Sequence, residues 1–196
     1  IAFGIIESFL FIFLKEIGGN GLVFGLARFI MCMSEIPAFQ WSGTILARIG
    51  TWRMLAITQL IFIVRNVYYT QLTNPLWVFP AEVLHGVTFA LMWSTSCAYA
   101  DAIAPTGLES TFQAILNAIH FGIGASIGGV LGGFVYESDG AVSLFTLNAI
   151  LCICSFGLCV IAIVFDFRDE VLEKQGRMNL NRSTHTLSPN AAMEME

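Results

Sequence analysis

An all-α polytopic membrane protein with six transmembrane helices is expected from this chain, on three grounds. Of its 196 residues, 56% are hydrophobic and 12% charged, whereas soluble domains run near 25% charged. Mean hydropathy is +0.75. The apolar residues gather into six stretches near the ~20 residues that a membrane helix needs, with turn residues between them.

The first span covers roughly residues 1–14 and opens on Ile1, with neither Met nor a basic leader. No signal peptide is read there. The span is taken as truncated, and the chain as a fragment that lacks an N-terminal portion. Gly18-Gly19-Asn20-Gly21 supplies the first turn, and the second span runs over roughly 22–46. A polar loop holding Arg48 and Arg53 leads to the third, roughly 54–72. Thr73-Asn74-Pro75 turns the chain into the fourth, roughly 77–104, and Pro105-Thr106-Gly107 into the fifth, roughly 111–135. Glu137-Ser138-Asp139-Gly140 precedes the sixth, roughly 143–165. Residues 1–165 thus form one six-helix bundle, and residues 166–196 a polar tail expected to be disordered.

Basic residues near span ends set orientation. Arg48, Arg53, Arg168, Lys174, Arg177 and Arg182 fall on one side, and Lys15 alone on the other. The first side is expected to be cytosolic and the C-terminus with it, in an integral multi-pass protein whose partner is the lipid bilayer. The formal net charge of −5 carries no basic stripe, so no nucleic-acid partner is expected. Cys32, Cys97, Cys152, Cys154 and Cys159 all lie inside spans without zinc-site spacing. They read as small hydrophobic residues. No metal, no cofactor and no nucleophile–base pair is expected, so an enzyme is not.

Charges inside the spans carry the functional reading. Glu7, Arg28, Glu35, Arg65, Glu82, His85 and His120 interrupt apolar runs. A charge at the bilayer centre costs about 2.5–3.5 kcal/mol on insertion scales. Several on one chain make physical sense when they pair around a wet cavity, which is the pattern of a solute or ion pathway. At ~1.5 Å per residue, Arg65 and Glu7 lie about 10 Å below the outer surface, with His85, Glu82 and Arg28 at overlapping depths. Glu35 sits near the middle of its helix. Glu82 and His85 are three apart and share a face, as do Arg28 and Glu35 at seven.

Plainer readings stand beside these. Arg28 snorkels to headgroups or joins the network, and Glu82 is interfacial or paired. Arg65, Glu35 and His85 form a functional network or a purely structural buried one. Gln113, Asn117 and His120 make a polar stripe on the fifth span, though His120 alone fits simple packing equally. Trp77, Tyr68 and Tyr69 read as interfacial belt, whereas Trp93 is deep enough to line a cavity. Gly124, Gly128 and Gly132, with Gly129 and Gly133, form small-residue ladders for close helix packing or, alternatively, for bending.

The loop Gly43-Thr-Ile-Leu-Ala47-Arg48-Ile-Gly50-Thr-Trp-Arg53 resembles the major facilitator signature Gly-x-x-x-Asp-Arg-x-Gly-Arg-Arg. Ala47 replaces the Asp, as is common in the second copy of that motif. Six spans with both ends cytosolic then resemble helices seven to twelve, the C-terminal half of this fold. Within the superfamily the chain is similar to the lactose permease and oligosaccharide–proton symporter branch and its orphan eukaryotic relatives. Met33-Ser34-Glu35, Val64-Arg65 and Leu84-His85-Gly86 resemble the permease segments holding its sugar-contacting Glu, network Arg and network His. Tyr136-Glu137-Ser138 with Gly140 resembles its last external loop.

The resemblance implies secondary active transport of a small polar solute, a sugar or nucleoside, with proton symport by alternating access. The missing six-helix half supplies the other cavity wall. Glu35, Trp93 and Asn117 are the substrate-binding candidates; Arg65, Glu82, His85 and Glu7 are the candidates for the proton and charge network. One departure bears on coupling. The branch's proton-carrying Glu, one turn after the His, is Thr88 here, and Glu82 is the candidate to replace it. The rival is a non-transporting receptor or scaffold that retains the fold.

Overall fold

The computed structural model describes residues 1–187, with side chains described through residue 166. Helix α1 (Ala2–Glu16) ends where Gly18, at φ +93°, and Gly19 take its last carbonyls; the Gly19 amide donates to Leu14 O at 2.7 Å. Helix α2 (Gly21–Ile49) starts on Asn20, whose side chain accepts from the Val23 amide at 3.1 Å, satisfying one orphan donor of the first turn. Pro37 sits inside it and removes one ladder hydrogen bond. Gly50, at φ +81°, stops it, a conformation that favours glycine.

Helix α3 (Thr51–Thr70) follows at once. Asn74 caps a short 3-10 turn, Pro75–Trp77, that feeds α4 (Val78–Ile103). Ala104 is extended ahead of Pro105, as the proline ring requires of its neighbour. Helix α5 (Glu109–Asn117) passes into a π-helical segment, Ala118–Gly124, and then α6 (Ala125–Leu187). Gly140, at φ 77° and ψ −178°, breaks α6 into residues 125–139 and 141–187.

The first four spans therefore lie within a few residues of their expected places, and the break at Gly140 falls in the expected last loop. The helix continues beyond Asp166 to Leu187, where a disordered tail is expected; the end of that tail, 188–196, lies outside the described residues. By contacts, residues 1–159 form one unit, and the remainder of α6 is a second.

Burial is inverted relative to a water-soluble protein. Arg65 and Glu82 are 0% and 1% exposed, while Leu22, Phe134 and Leu158 are 71%, 71% and 68% exposed. An outward apolar face of this size fits lipid and not water. By length and composition, three stretches could cross a membrane among the described residues: Gly21–Ile49, Pro75–Ile103 and Glu109–Asp166.

The apolar core gathers at one end of the bundle, from Leu10, Phe13, Val23, Tyr69, Val78 and Phe145 among others. It draws on the end of α1, the start of α2, the end of α3 and the start of α4, as alternating helix directions require. Small residues set the helix spacing. A Cβ on Gly128 would press into the Ile1 carbonyl and reach 3.0 Å from Ile5 N, and one on Gly132 would stand 2.6 Å from the Phe9 ring. The Gly124/Gly128/Gly132 ladder is thus a packing surface for α1, whereas Gly129 and Gly133 make ordinary contacts with Ser8 and Phe9.

Gly86 plays the same part between α4 and α2, where an added Cβ would press into Ser34 Oγ and the Met31 carbonyl. Overpacking a tight site costs about 1–3 kcal/mol. Gly86→Val is expected to lower the melting temperature of the full-length protein measurably, since backbone cannot move aside. An unchanged melting curve would show that α2 and α4 are not in backbone contact.

Candidate functional site

Below that apolar end, charged side chains of four helices meet. Arg28 on α2 makes a two-pronged ion pair with Glu7 on α1, its NH1 and NH2 donating to Oε1 at 3.1 Å and Oε2 at 3.0 Å. Such paired donors give geometric specificity as well as charge compensation. The snorkelling alternative for Arg28 is therefore set aside, although its side chain remains 40% exposed. Arg28 also lies over the Phe11 ring at 5.2 Å.

Arg65 on α3 is fully buried. Its Nε donates to Tyr69 Oη at 3.0 Å and its NH2 contacts His85 Nδ1 at 3.1 Å. A guanidinium only donates, so His85 Nδ1 accepts. His85 is then the neutral tautomer with its proton on Nε2, and Nε2 stands 3.9 Å from Glu7 Oε1. Glu82 lies on the same face of α4, with Oε2 3.8 Å from His85 Nδ1 and Oε1 accepting from Tyr69 Oη at 2.9 Å. Two hydrogen-bonded groups result, Arg28 with Glu7 and the chain His85, Arg65, Tyr69, Glu82, which approach each other at His85 Nε2 and Glu7 Oε1. Arg65 NH1 is buried and has no hydrogen-bond partner among the described residues, while the Phe62 ring faces the guanidinium at 4.8 Å.

All four residues expected in the charge network are brought together. Tyr69 is the member that sequence reasoning missed. It is 0% exposed and bridges Arg65 to Glu82, not part of an interfacial belt. Its signal was its place four residues after Arg65, on the same helical face. A second buried polar tie, Asn148 Nδ2 to Asn66 Oδ1 at 2.8 Å and to the Ala2 carbonyl at 3.1 Å, joins α6, α3 and α1.

The three substrate candidates are more scattered. Glu35 is half-buried, and its backbone amide lies beside Gly86, next to His85. Trp93 stacks on Phe89 (6.2 Å, 7°) and meets His120 and Phe121 at 5.2 and 4.9 Å. Asn117 is exposed and donates to the Gln113 carbonyl of its own helix at 2.8 Å. No hydrogen bond joins any of the three to the network among the described residues.

The expected polar stripe on the fifth span is not one stripe. Gln113 ties to the Cys97 carbonyl at 2.8 Å, and His120 joins the aromatic cluster. His120 lies in the π segment, which departs from the 3.6-residue period on which the stripe rests, whereas Gln113 and Asn117 precede it in α5. A cavity of about 380 Å3 lies against His85, walled mainly by apolar groups such as Phe3, Phe62, Phe89 and Met92, with His120 and Gln59 as polar contributors. None of Glu35, Trp93 and Asn117 lines it. The cysteines carry no disulfide, and burial divides them: Cys152 is buried and Cys154 exposed, as their different helix faces require.

Residues 1–147 match the family model described as "MFS_1 like family". Over 142 residues the chain is 32% identical to a maltose permease of Geobacillus stearothermophilus, covering 71% of this chain and 36% of that protein. It is 28% identical over 154 residues to the uncharacterized transporter YwbF of Bacillus subtilis, covering 78% and 38%. It is 24% identical over 177 residues to the major facilitator superfamily domain-containing protein 6-like protein B of Xenopus laevis, covering 90% and 28%. The chain spans about a third of the length of the curated relatives it matches.

Proposed function

We propose, from the premise that the chain belongs to the MFS_1 like family of the major facilitator superfamily, that it is the C-terminal half of a secondary active transporter. The whole carrier would have two six-helix halves rocking about a site near the bilayer midplane. A sugar or nucleoside is the solute, and a proton is the coupling ion. The observation that carries this reading is the buried group of Arg65, His85, Tyr69 and Glu82, with the half-buried Glu7 beside it. Ionisable groups held at such depth, each within reach of another, are what a proton pathway through a membrane needs.

The geometry supports coupling at one point in particular. A proton added at His85 Nδ1 would set two donors, Nδ1–H and Arg65 NH2, against each other. Glu82 Oε2 stands 3.8 Å from that nitrogen and can accept from it. Proton arrival would therefore break one contact in the network and favour another, which is how a local charge change biases a two-state element. Glu35 is the candidate contact for solute hydroxyls, with Trp93 as a stacking wall and Asn117 as a further polar group. The maltose permease relative supports a sugar. Radiolabelled uptake by the reconstituted full-length protein, across a panel of sugars and nucleosides, tests the reading; uptake of none would remove it.

One observation favours a second reading, a receptor or scaffold that retains the fold. Thr88 stands where the resemblance places the proton-carrying acid, and its hydroxyl is occupied by the Leu84 and His85 carbonyls at 2.7 and 3.0 Å. Binding of a protein partner by full-length protein that moves no solute is the outcome that selects this reading.

Topology has its own test. Asn181-Arg182-Ser183 is a glycosylation sequon, and the basic-residue bias puts it in the cytosol. No glycan is expected there. A glycosidase-sensitive mass shift that disappears in Asn181→Gln would invert every loop assignment.

A further inference from the structure

Resting on the carrier reading above, we infer that Tyr69 is a positioning residue: its hydroxyl holds Glu82 one hydrogen bond away from Arg65 and keeps the two from closing into a direct ion pair. The three side chains are 0%, 1% and 0% exposed for Tyr69, Glu82 and Arg65. The phenol accepts from Arg65 Nε at 3.0 Å and donates to Glu82 Oε1 at 2.9 Å. Among the described residues, Arg65 makes no contact with Glu82 within the 4.0 Å of an ion pair. Two opposite charges buried side by side attract strongly, yet a tyrosine stands between them.

The consequence concerns release. Attraction between charges falls with their separation, and a direct buried pair holds its carboxylate ionised against any proton. An acid that gains and loses a proton in each cycle needs its cation close enough to stabilise it and far enough to let go. A phenol suits that place because it accepts from one neighbour while donating to the other. The remaining charged and titratable groups around Glu82 are His85 on its own helix at 3.8 Å, then Glu7 on α1 and Arg28 on α2, which neutralise each other. None of them separates Arg65 from Glu82, so the spacing is left to Tyr69.

Tyr69→Phe removes the spacer oxygen and little else, leaving Arg65 free to swing onto Glu82. In the reconstituted full-length protein, accumulation driven by a pH gradient is expected to be lost while most downhill exchange remains. Combined with Glu82→Gln, the substitution should add no further loss. A purely structural defect would instead lower both transport modes together, and that result overturns the proposal. Thermal melting of the same variants decides the bridge independently of transport. Tyr69→Phe should shift the melting temperature more in the wild-type background than in Glu82→Gln, where the hydrogen bond from Arg65 is still there to lose but the charged partner is not. An equal shift in both backgrounds shows that the hydroxyl does not act through Glu82. If wild-type protein moves no solute in either mode, the carrier reading falls, and the melting comparison still decides whether Tyr69 spaces the pair.

Discussion

Arg65→Ala is expected to destabilise the full-length protein by about 3–5 kcal/mol, the usual cost of removing one partner from a buried charged pair. The structure says which second substitution repairs the loss. Without Arg65, the Tyr69 hydroxyl and His85 Nδ1 lose their donor, and Glu82 remains buried with its negative charge uncompensated. Arg65→Ala with Glu82→Gln should therefore regain much of the stability in a detergent melt. Removing Glu7 instead should regain none, because Glu7 already has Arg28 as a partner at 3.0 Å and its loss strands that cation. Equal repair by both would mean that Arg65 compensates the cluster as a whole. Strictly additive losses in both would place Arg65 outside the network.

The second large effect separates binding from coupling. Glu82→Gln keeps the shape of the side chain and mimics its protonated state. On the proposed reading solute binding should survive, since the proposed solute contact, Glu35, is untouched, while uphill accumulation falls to background. Glu35→Gln should act the other way. If Glu35 holds the solute as proposed, the substitution gives up charge-assisted hydrogen bonds to hydroxyls, roughly twice as strong as neutral ones, and affinity should weaken about ten-fold, ~1.4 kcal/mol. Equilibrium binding and accumulation measured on both variants give the comparison. Loss of binding in Glu82→Gln would move Glu82 from the coupling network to the solute site.

Much of this was legible in the sequence, for physical reasons that differ from residue to residue. Gly18, Asn20, Gly50, Pro105 and Gly140 mark helix ends because their backbone chemistry permits little else. The meeting of Glu7, Arg28, Arg65, Glu82 and His85 was legible because buried charges must be compensated, and few residues were available for it. The glycine ladder was legible from its four-residue period.

Tyr69 was hidden because a tyrosine near the end of a span has two physically sound readings, headgroup anchor or buried bridge, and only the packing of α3 on α4 decides between them. The π segment was hidden for a different reason. Its hydrogen-bond register depends on how residues 118–124 settle against neighbouring helices, and it takes His120 out of the α-helical register of Gln113 and Asn117. Gly86 was read only as part of a motif, since its closeness to Met31 and Ser34 becomes visible only when the two helices are laid together.

Whether the buried chain of Arg65, His85, Tyr69 and Glu82 carries protons is the central question, and proton movement can be read directly. Proteoliposomes holding the full-length protein are suspended in weakly buffered medium, and a solute from the uptake panel is added outside. External pH should rise as solute enters wild-type vesicles, because each inward step takes a proton with it, and should stay flat with Glu82→Gln. Solute entry into wild-type vesicles with no pH change, or an undiminished pH change with Glu82→Gln, would contradict the account.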